Sequence, residues 1–201
     1  MRHEGEVSDD DLMRRTAAGD RDAFAAVYRK HHSVVFRFAR LMTGSNETAE
    51  DIVQEVFLGL MRGASRYDPA RASLTTYLYG SARHQIRRRL LRDRLFVSLD
   101  DSGSDPCPAH VVGSAVEELS RERDVREMRR AILALPSKYR EVIVLCDLQD
   151  VSYADAASAL SCAIGTVRSR LHRARQLLTQ KLQRSRACAL VPARPTVRCE
   201  V

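Results

Sequence analysis

The sequence predicts an all-α protein: two small helical domains joined by a flexible acidic linker. Three observations predict it. Apolar residues recur at spacings of three and four along most of the chain, and no stretch alternates in the period of a strand. Residues 98–116 (SLDDSGSDPCPAHVVGSAV) mix Pro, Gly, Ser and Asp with few apolar side chains, which is linker composition. The charge divides at the same place. Residues 21–97 hold 14 basic and 7 acidic side chains, residues 98–120 hold 5 acidic and no basic ones, and residues 121–183 hold 12 and 7. A length of 201 residues gives room for two small domains and none for a large enzyme barrel.

Composition narrows the function classes. Aromatic residues are only 5% and Trp is absent, so the core is built from Leu, Val, Ile and Ala. The net charge of +7, almost all of it Arg, favours a polyanionic partner. The five Cys form no CxxC pair and no Cys/His set with zinc spacing, so they read as reduced thiols, with no metal and no cofactor implied. No run approaches the ~18 apolar residues of a membrane span, and the start, MRHEGEVSDDD, has no apolar signal core. The expectation is a cytoplasmic protein without membrane insertion.

In the first domain, residues 9–97, Leu12, Phe24, Val27, Tyr28, Val34, Val35, Phe38 and Leu41 mark two helices with one buried face each, broken at Gly19-Asp20. Thr43-Gly44-Ser45-Asn46 is a turn, and Ser45, Asn46 or Thr48 can cap the next helix, Thr48 with Asp51 as its capping-box partner. That third helix ends near Arg62. Residues 63–73 (GASRYDPARAS) have no helical period and read as a loop, and a fourth helix runs from Leu74 to about Leu95.

The second domain, residues 121–183, opens with a helix whose face is Met128, Ile132, Leu133 and Leu135 and which Pro136 ends. Pro136-Ser137 starts the next helix, a short one follows from Ser152 to Leu160, and a longer one runs from about Gly165 to Leu182. Residues 184–201, with Pro192 and Pro195, read as a disordered tail.

A short helix, a tight turn and an Arg-bearing second helix form the pattern of a helix-turn-helix, in which the second helix lies in the major groove. On a 3.6-residue wheel Val167, Leu171, Ala174, Leu178 and Leu182 make the buried stripe, and Ser169, His172, Arg173 and Gln176 point the other way. Arg168 and Arg175 flank one border and Arg170 the other. Base edges are read by Arg, Ser and similar donors, while flanking cations fix phosphates. An ordinary solvated Arg-rich helix is the competing reading, and the turn together with the wheel favours DNA.

Leu135-Pro136 through Arg140-Glu141-Val142, then Tyr153-Ala154-Asp155-Ala156-Ala157, then Gly165-Thr166-Val167-Arg168-Ser169-Arg170-Leu171-His172-Arg173-Ala174-Arg175 resemble region four of a bacterial RNA polymerase sigma factor. The extracytoplasmic-function group, which retains only regions two and four, is the most similar. The resemblance implies that the last helix reads the minus-thirty-five promoter element through Arg168, Ser169, His172 and Arg173, and the wheel adds Arg175 at their border. Ser161 stands at the helix-helix turn where Gly is common; a left-handed backbone there costs a non-Gly residue ~1 kcal/mol.

In residues 48–62 (TAEDIVQEVFLGLMR), Ala49, Ile52, Val53, Val56, Phe57 and Leu60 form the buried stripe, leaving Asp51, Gln54, Glu55 and Leu58 outside. Spacing alone allows a solvated acidic face, since single exposed apolar residues are normal. However, Asp51-Ile52-Val53-Gln54-Glu55-Val56-Phe57 resembles the sigma region-two segment that docks on the clamp helices of the polymerase's largest subunit. The resemblance gives that role to Asp51, Gln54, Glu55 and Leu58.

The fourth helix ends in ARHQIRRRLLRDR, where Arg83, Arg87, Arg88, Arg89, Arg92 and Arg94 face one acid, Asp93. Like charges four apart destabilise a helix unless something neutralises them, and DNA phosphates would do so. Captured single-stranded bases need planar surfaces and cations, types that Tyr67, His84, Arg87 and Arg88 supply. Tyr77 and Tyr79 read as core residues. By resemblance this loop and helix recognise and melt the minus-ten element, although Tyr77 stands where Trp is usual and His84 where Asn is usual.

The expected function is that of a non-enzymatic transcription initiation factor that binds core RNA polymerase and promoter DNA. Members of the group are often held inactive by an anti-sigma factor wedged between the domains, and the linker would allow it. A recombinase or nuclease would need a nucleophilic Ser or Tyr or a carboxylate cluster, and no spacing assembles one. A repressor acting without polymerase would not need the acidic face with Leu58.

Overall fold

The computed structural model describes residues 7–97 and 116–189, with side chains for residues 7–92 and 122–183. Among these residues there are eight α-helices, one short 3-10 turn and no strand.

Local chemistry sets each boundary of the first domain. Ser8 caps α1 (Asp9–Ala17) by accepting from the Asp11 amide at 3.2 Å, and three Asp in its first turn suit the helix dipole. Asp20 caps α2 (Arg21–Thr43), accepting from the amides of Asp22 and Ala23 at 2.9 and 3.1 Å. That helix stops at Gly44, which adopts a left-handed φ of 80°; a Cβ there would lie 2.9 Å from Leu133 Cδ1, so glycine serves both turn and packing. Of the three candidate caps for α3 (Asn46–Arg62), Ser45 is the one used, accepting from the Thr48 amide at 3.2 Å. The expected loop contains the turn Ala64–Arg66, and α4 follows (Leu74–Val97).

The core of this domain lies between α2, α3 and α4. The α3 stripe of Ala49, Ile52, Val53, Val56, Phe57 and Leu60 is buried residue for residue as its periodicity requires. Phe38 of α2 meets Tyr79 of α4 edge to face at 5.3 Å, and Tyr79 is 2% exposed.

The second domain comprises α5 (Val116–Leu133), α6 (Ser137–Cys146), α7 (Tyr153–Leu160) and α8 (Ile164–Ala189). Two boundaries differ from the sequence reading. Helix α5 takes in residues 116–120, which the charge count assigns to the linker. Helix α8 continues through residues 184–189 of the expected tail; Arg184 to Ala189 include no Gly or Pro, and the first breaker is Pro192. Residues 98–115 and 190–201, the rest of the expected linker and tail, lie outside the described residues. The face expected for α5 is also only partly right. Ile132 and Leu135 are buried while Met128 is exposed, since α5 enters the core only at its C-terminal end.

The two helical groups pack against each other: α7 lies on α4, and α5 and α6 lie on α2. The two helices approach closely at Gly80, where a Cβ would sit in ordinary contact, 3.6 Å from the Ala159 carbonyl oxygen. Polar contacts cross the same boundary. Arg83 Nε lies 3.0 Å from Glu141 Oε1, and Thr76 Oγ1 donates to Asp155 Oδ1 at 3.1 Å. Gln149 accepts from the Tyr79 hydroxyl and Arg37 Nε, both at 3.2 Å, and donates to the Val34 carbonyl at 3.4 Å. Arg140 donates to the carbonyls of Leu133, Leu135 and Met42, closing the C-terminal ends of α5 and α2. Burial lowers the pKa of its guanidinium from the usual arginine value.

Candidate nucleic-acid and protein interfaces

The helix-turn-helix is α7 and α8. Ser152 caps α7, accepting from the Asp155 amide at 3.1 Å and donating to Asp155 Oδ2 at 2.6 Å. The turn is at Ser161, with φ 50° and ψ 51°, the left-handed conformation in which Gly is cheaper. On α8, Val167, Leu171 and Ala174 are buried and Leu178 and Leu182 half-buried, while Arg168, Ser169, His172 and Arg173 are exposed. Helical spacing gathers these four onto one surface one to two turns from the helix start. His172 and Arg173 each bond Gln176, at 3.0 and 3.2 Å, which pre-orients both side chains.

Arg175 behaves differently from the other four. Its guanidinium makes a bidentate pair with Asp147, at 2.7 and 3.0 Å, and that bond raises its pKa above the usual arginine value. The sequence wheel places Arg175 at the border of the reading face but cannot supply Asp147, which comes from the end of α6, 28 residues away. Arg175 is therefore tied to its own domain.

On α3, Asp51, Gln54, Glu55 and Leu58 are exposed, Leu58 at 41%, and stand at i, i+3, i+4 and i+7 on one face. Met61 at 50% extends the apolar part of this face, an addition the sequence reading missed. Asp51 Oδ2 accepts from Arg89 Nη1 of α4 at 2.8 Å, so the acidic face is linked to the Arg-rich helix.

On α4, His84, Arg87 and Arg88 are exposed at i, i+3 and i+4. Two members of the Arg cluster have internal partners instead: Arg83 turns inward to Glu141 and Arg89 pairs with Asp51. Both partners are distant in sequence, which is why an excess of cations counted along α4 overstates its free charge. The Arg94 side chain lies outside the described residues. Tyr67 is half-buried rather than fully open. Its ring meets Tyr77 edge to face at 5.7 Å and its hydroxyl donates to Asp10 Oδ1 at 3.4 Å. Burial, with the nearby Asp10 charge, pushes its pKa up to about 12.

Among the described residues no three His, Cys, Asp or Glu side chains come together as a metal set, and no helix is long and apolar enough to cross a membrane. Cys146 and Cys162 are unpaired, and burial pushes the Cys146 thiol up to about 11.

Two family profiles match this chain: Sigma-70 region 2 over residues 27–95 and Sigma-70, region 4 over residues 126–178. The chain is 34% identical over 179 residues to the ECF RNA polymerase sigma factor SigM of Mycobacterium tuberculosis, covering 88% of this chain and 86% of that one. It is 27% identical over 178 residues to the ECF RNA polymerase sigma factor SigW of Bacillus subtilis, covering 85% and 95%. In fold it is similar to the sigma factor RpoE of Bartonella quintana, solved in complex with the anti-sigma factor NepR, with a TM-score of 0.67, 24% identity and coverage of 80% and 96%. The structure of CnrH in complex with the cytosolic domain of CnrY gives a TM-score of 0.65 at 24% identity, covering 89% and 99%.

Proposed function

The chain belongs to the extracytoplasmic-function group of the sigma-70 family, and on that premise we propose which of its surfaces perform each step of promoter-specific initiation. As a member it is a transcription initiation factor that binds core RNA polymerase and promoter DNA, and it is not an enzyme. Phosphodiester chemistry belongs to the core enzyme. This chain supplies promoter choice and stabilises the opened strands.

We assign core binding to Asp51, Gln54, Glu55 and Leu58 of α3, against the clamp helices of the polymerase's largest subunit. The minus-ten element falls to Tyr67, His84, Arg87 and Arg88, with Tyr67 swinging off Tyr77 to stack on a captured base. The minus-thirty-five element falls to Arg168, Ser169, His172 and Arg173, with Arg175 fixing the approach of α8 through Asp147. We place residues 9–97 and 121–183 as the two functional domains, and we place the protein in the cytoplasm. The Bartonella quintana RpoE was solved with an anti-sigma factor, and we carry a regulator of that class over to this chain.

One observation supports this division of labour most strongly: the assigned residues of α3, α4 and α8 lie on the face of each helix opposite the buried stripe, so they can be engaged while the core stays intact. A core-dependent transcription assay across a genomic promoter library tests the reading. The expected result is promoter-specific transcripts, lost on charge reversal in the double variant Asp51→Lys and Glu55→Lys. No specific transcript from the unaltered chain would overturn it. Promoter regulation surviving the double reversal would point to a repressor acting without polymerase.

A further inference from the structure

Helix α1 carries three consecutive aspartates in its first turn, and each faces a different partner. Asp9 is tied to α2: its Oδ1 lies 3.0 Å from Lys30 Nζ and 3.2 Å from His31 Nε2. His31 is 4% exposed, and its Nδ1 stands 3.4 Å from Thr75 Oγ1 in the first turn of α4. A neutral imidazole with its proton on Nε2 suits both neighbours, donating to Asp9 and accepting from the Thr75 hydroxyl. Asp11 pairs with Arg14 within α1. Asp10 reaches across to the loop after α3, where it accepts from the Tyr67 hydroxyl at 3.4 Å.

Tyr67 is assigned to base capture, yet its resting place is a poor one for DNA. Its ring edge meets Tyr77, and besides burial the charges of Asp10, Asp9 and Asp68 keep its hydroxyl protonated. Carboxylates gathered around one aromatic ring repel the phosphates of an approaching strand. The ring therefore takes a base only after leaving this place. Asp10 cannot travel with it. Its side chain is short, and α1 is fixed by the Ser8 cap, by Asp9 on Lys30 and His31, and by packing on α2 and on the turn Ala64–Arg66.

We propose that Asp10 restrains the minus-ten reader: it holds Tyr67 in a resting position that base capture must break, and Asp9 on the buried His31 keeps Asp10 in place. The proposal rests on the reading that Tyr67 stacks on a captured base, and it adds what that movement works against. A bond from a hydroxyl to a carboxylate is charge-assisted, but 3.4 Å is long for one, so it biases the equilibrium by only about threefold to fivefold. Stacking of a base on an aromatic ring outweighs a bias of that size. The restraint thus sets a threshold for capture without preventing it.

The test uses the full chain with core enzyme on a target promoter, at the temperature where closed and open complexes are equally populated, with opening read by permanganate reactivity of unpaired thymines. Tyr67→Phe keeps the stacking ring and removes the bond, so it should raise the opening equilibrium by about threefold to fivefold. Asp10→Ala should do the same. The double variant should gain no more than either alone, because both lose one contact. Asp9→Ala should also raise opening, but only while Tyr67 keeps its hydroxyl; a variant that merely loosened the fold would lower it with or without that hydroxyl. Opening that is unchanged or lower in Tyr67→Phe, whose fold loses a single oxygen, would overturn the proposal. So would gains that add in the double variant, as general repulsion of DNA by Asp10 predicts. If instead Tyr67→Ala leaves opening unchanged, the base-capture reading itself fails, which is a separate outcome.

Discussion

At the scale of the residue, partners decide what a charged side chain is free to do. Arg173 and Arg175 are both exposed arginines on α8, yet Arg173 bonds only a neighbouring Gln while Arg175 is held bidentately by Asp147. Arg173→Ala should therefore weaken binding to the minus-thirty-five element by about tenfold or more and relax its base preference, as a lost base contact does. Arg175→Ala and Asp147→Ala should each cost only about threefold. Because they break one contact, the double variant should cost no more than either alone. Titration of region-four variants against duplex promoter DNA measures all four. Ser161 gives a second case, for it occupies a left-handed position with a Cβ. Ser161→Gly should raise stability by about 1 kcal/mol, read from the urea midpoint. The left-handed turn was foreseeable from the chain, whereas the Asp147 clamp was not.

At the scale of the element, the α3 and α8 stripes are legible in the sequence because each helix has one continuous apolar face and a polar opposite face. Helix α4 is less legible. Its six Arg look like one cationic surface, but Arg83 and Arg89 answer to carboxylates on α6 and α3, leaving Arg87, Arg88 and Arg92 with His84 as the open group among the described side chains. If Arg87 and Arg88 meet DNA phosphates, replacing each by Ala should reduce the slope of log affinity against log salt by about 0.7 to 0.9. Replacing Arg83 should leave that slope unchanged. Measuring open-complex stability with core enzyme at several salt concentrations separates the two behaviours.

At the scale of the whole molecule, the packed arrangement is too small to span a promoter. Elements centred near minus thirty-five and minus ten are some 25 base pairs apart, about 85 Å of B-form DNA at 3.4 Å per step. A compact chain of this size has a radius of gyration of about 17 Å, so its greatest extent is about half that distance. The domains must part before both elements are engaged, and the polar contacts that resist parting include Arg83 with Glu141, Thr76 with Asp155, Arg140 with the Met42 carbonyl, and Gln149 with Tyr79, Arg37 and Val34. Glu141→Ala would leave the Arg83 charge half-buried without its partner, a costly state that domain separation relieves. Fluorescent labels at Glu50 and Gln180, both exposed, should report a longer mean distance in this variant than in the unaltered chain.

The all-α class, the order and approximate ends of the helices, and the buried faces of α3 and α8 all follow from the amino-acid sequence. These are local properties, set by periodicity, caps and breakers within a turn or two of each residue. The sequence also carries the family, because the motifs of both regions are contiguous stretches of chain. Three features come from packing alone: the two domains close on each other, Arg83, Arg89 and Arg175 are held by Glu141, Asp51 and Asp147, and α2 and α5 leave a basic-rimmed apolar groove. Each of these depends on side chains brought together from elements 28 or more residues apart. Periodicity shows that a face is apolar or charged; only packing in three dimensions shows what it meets.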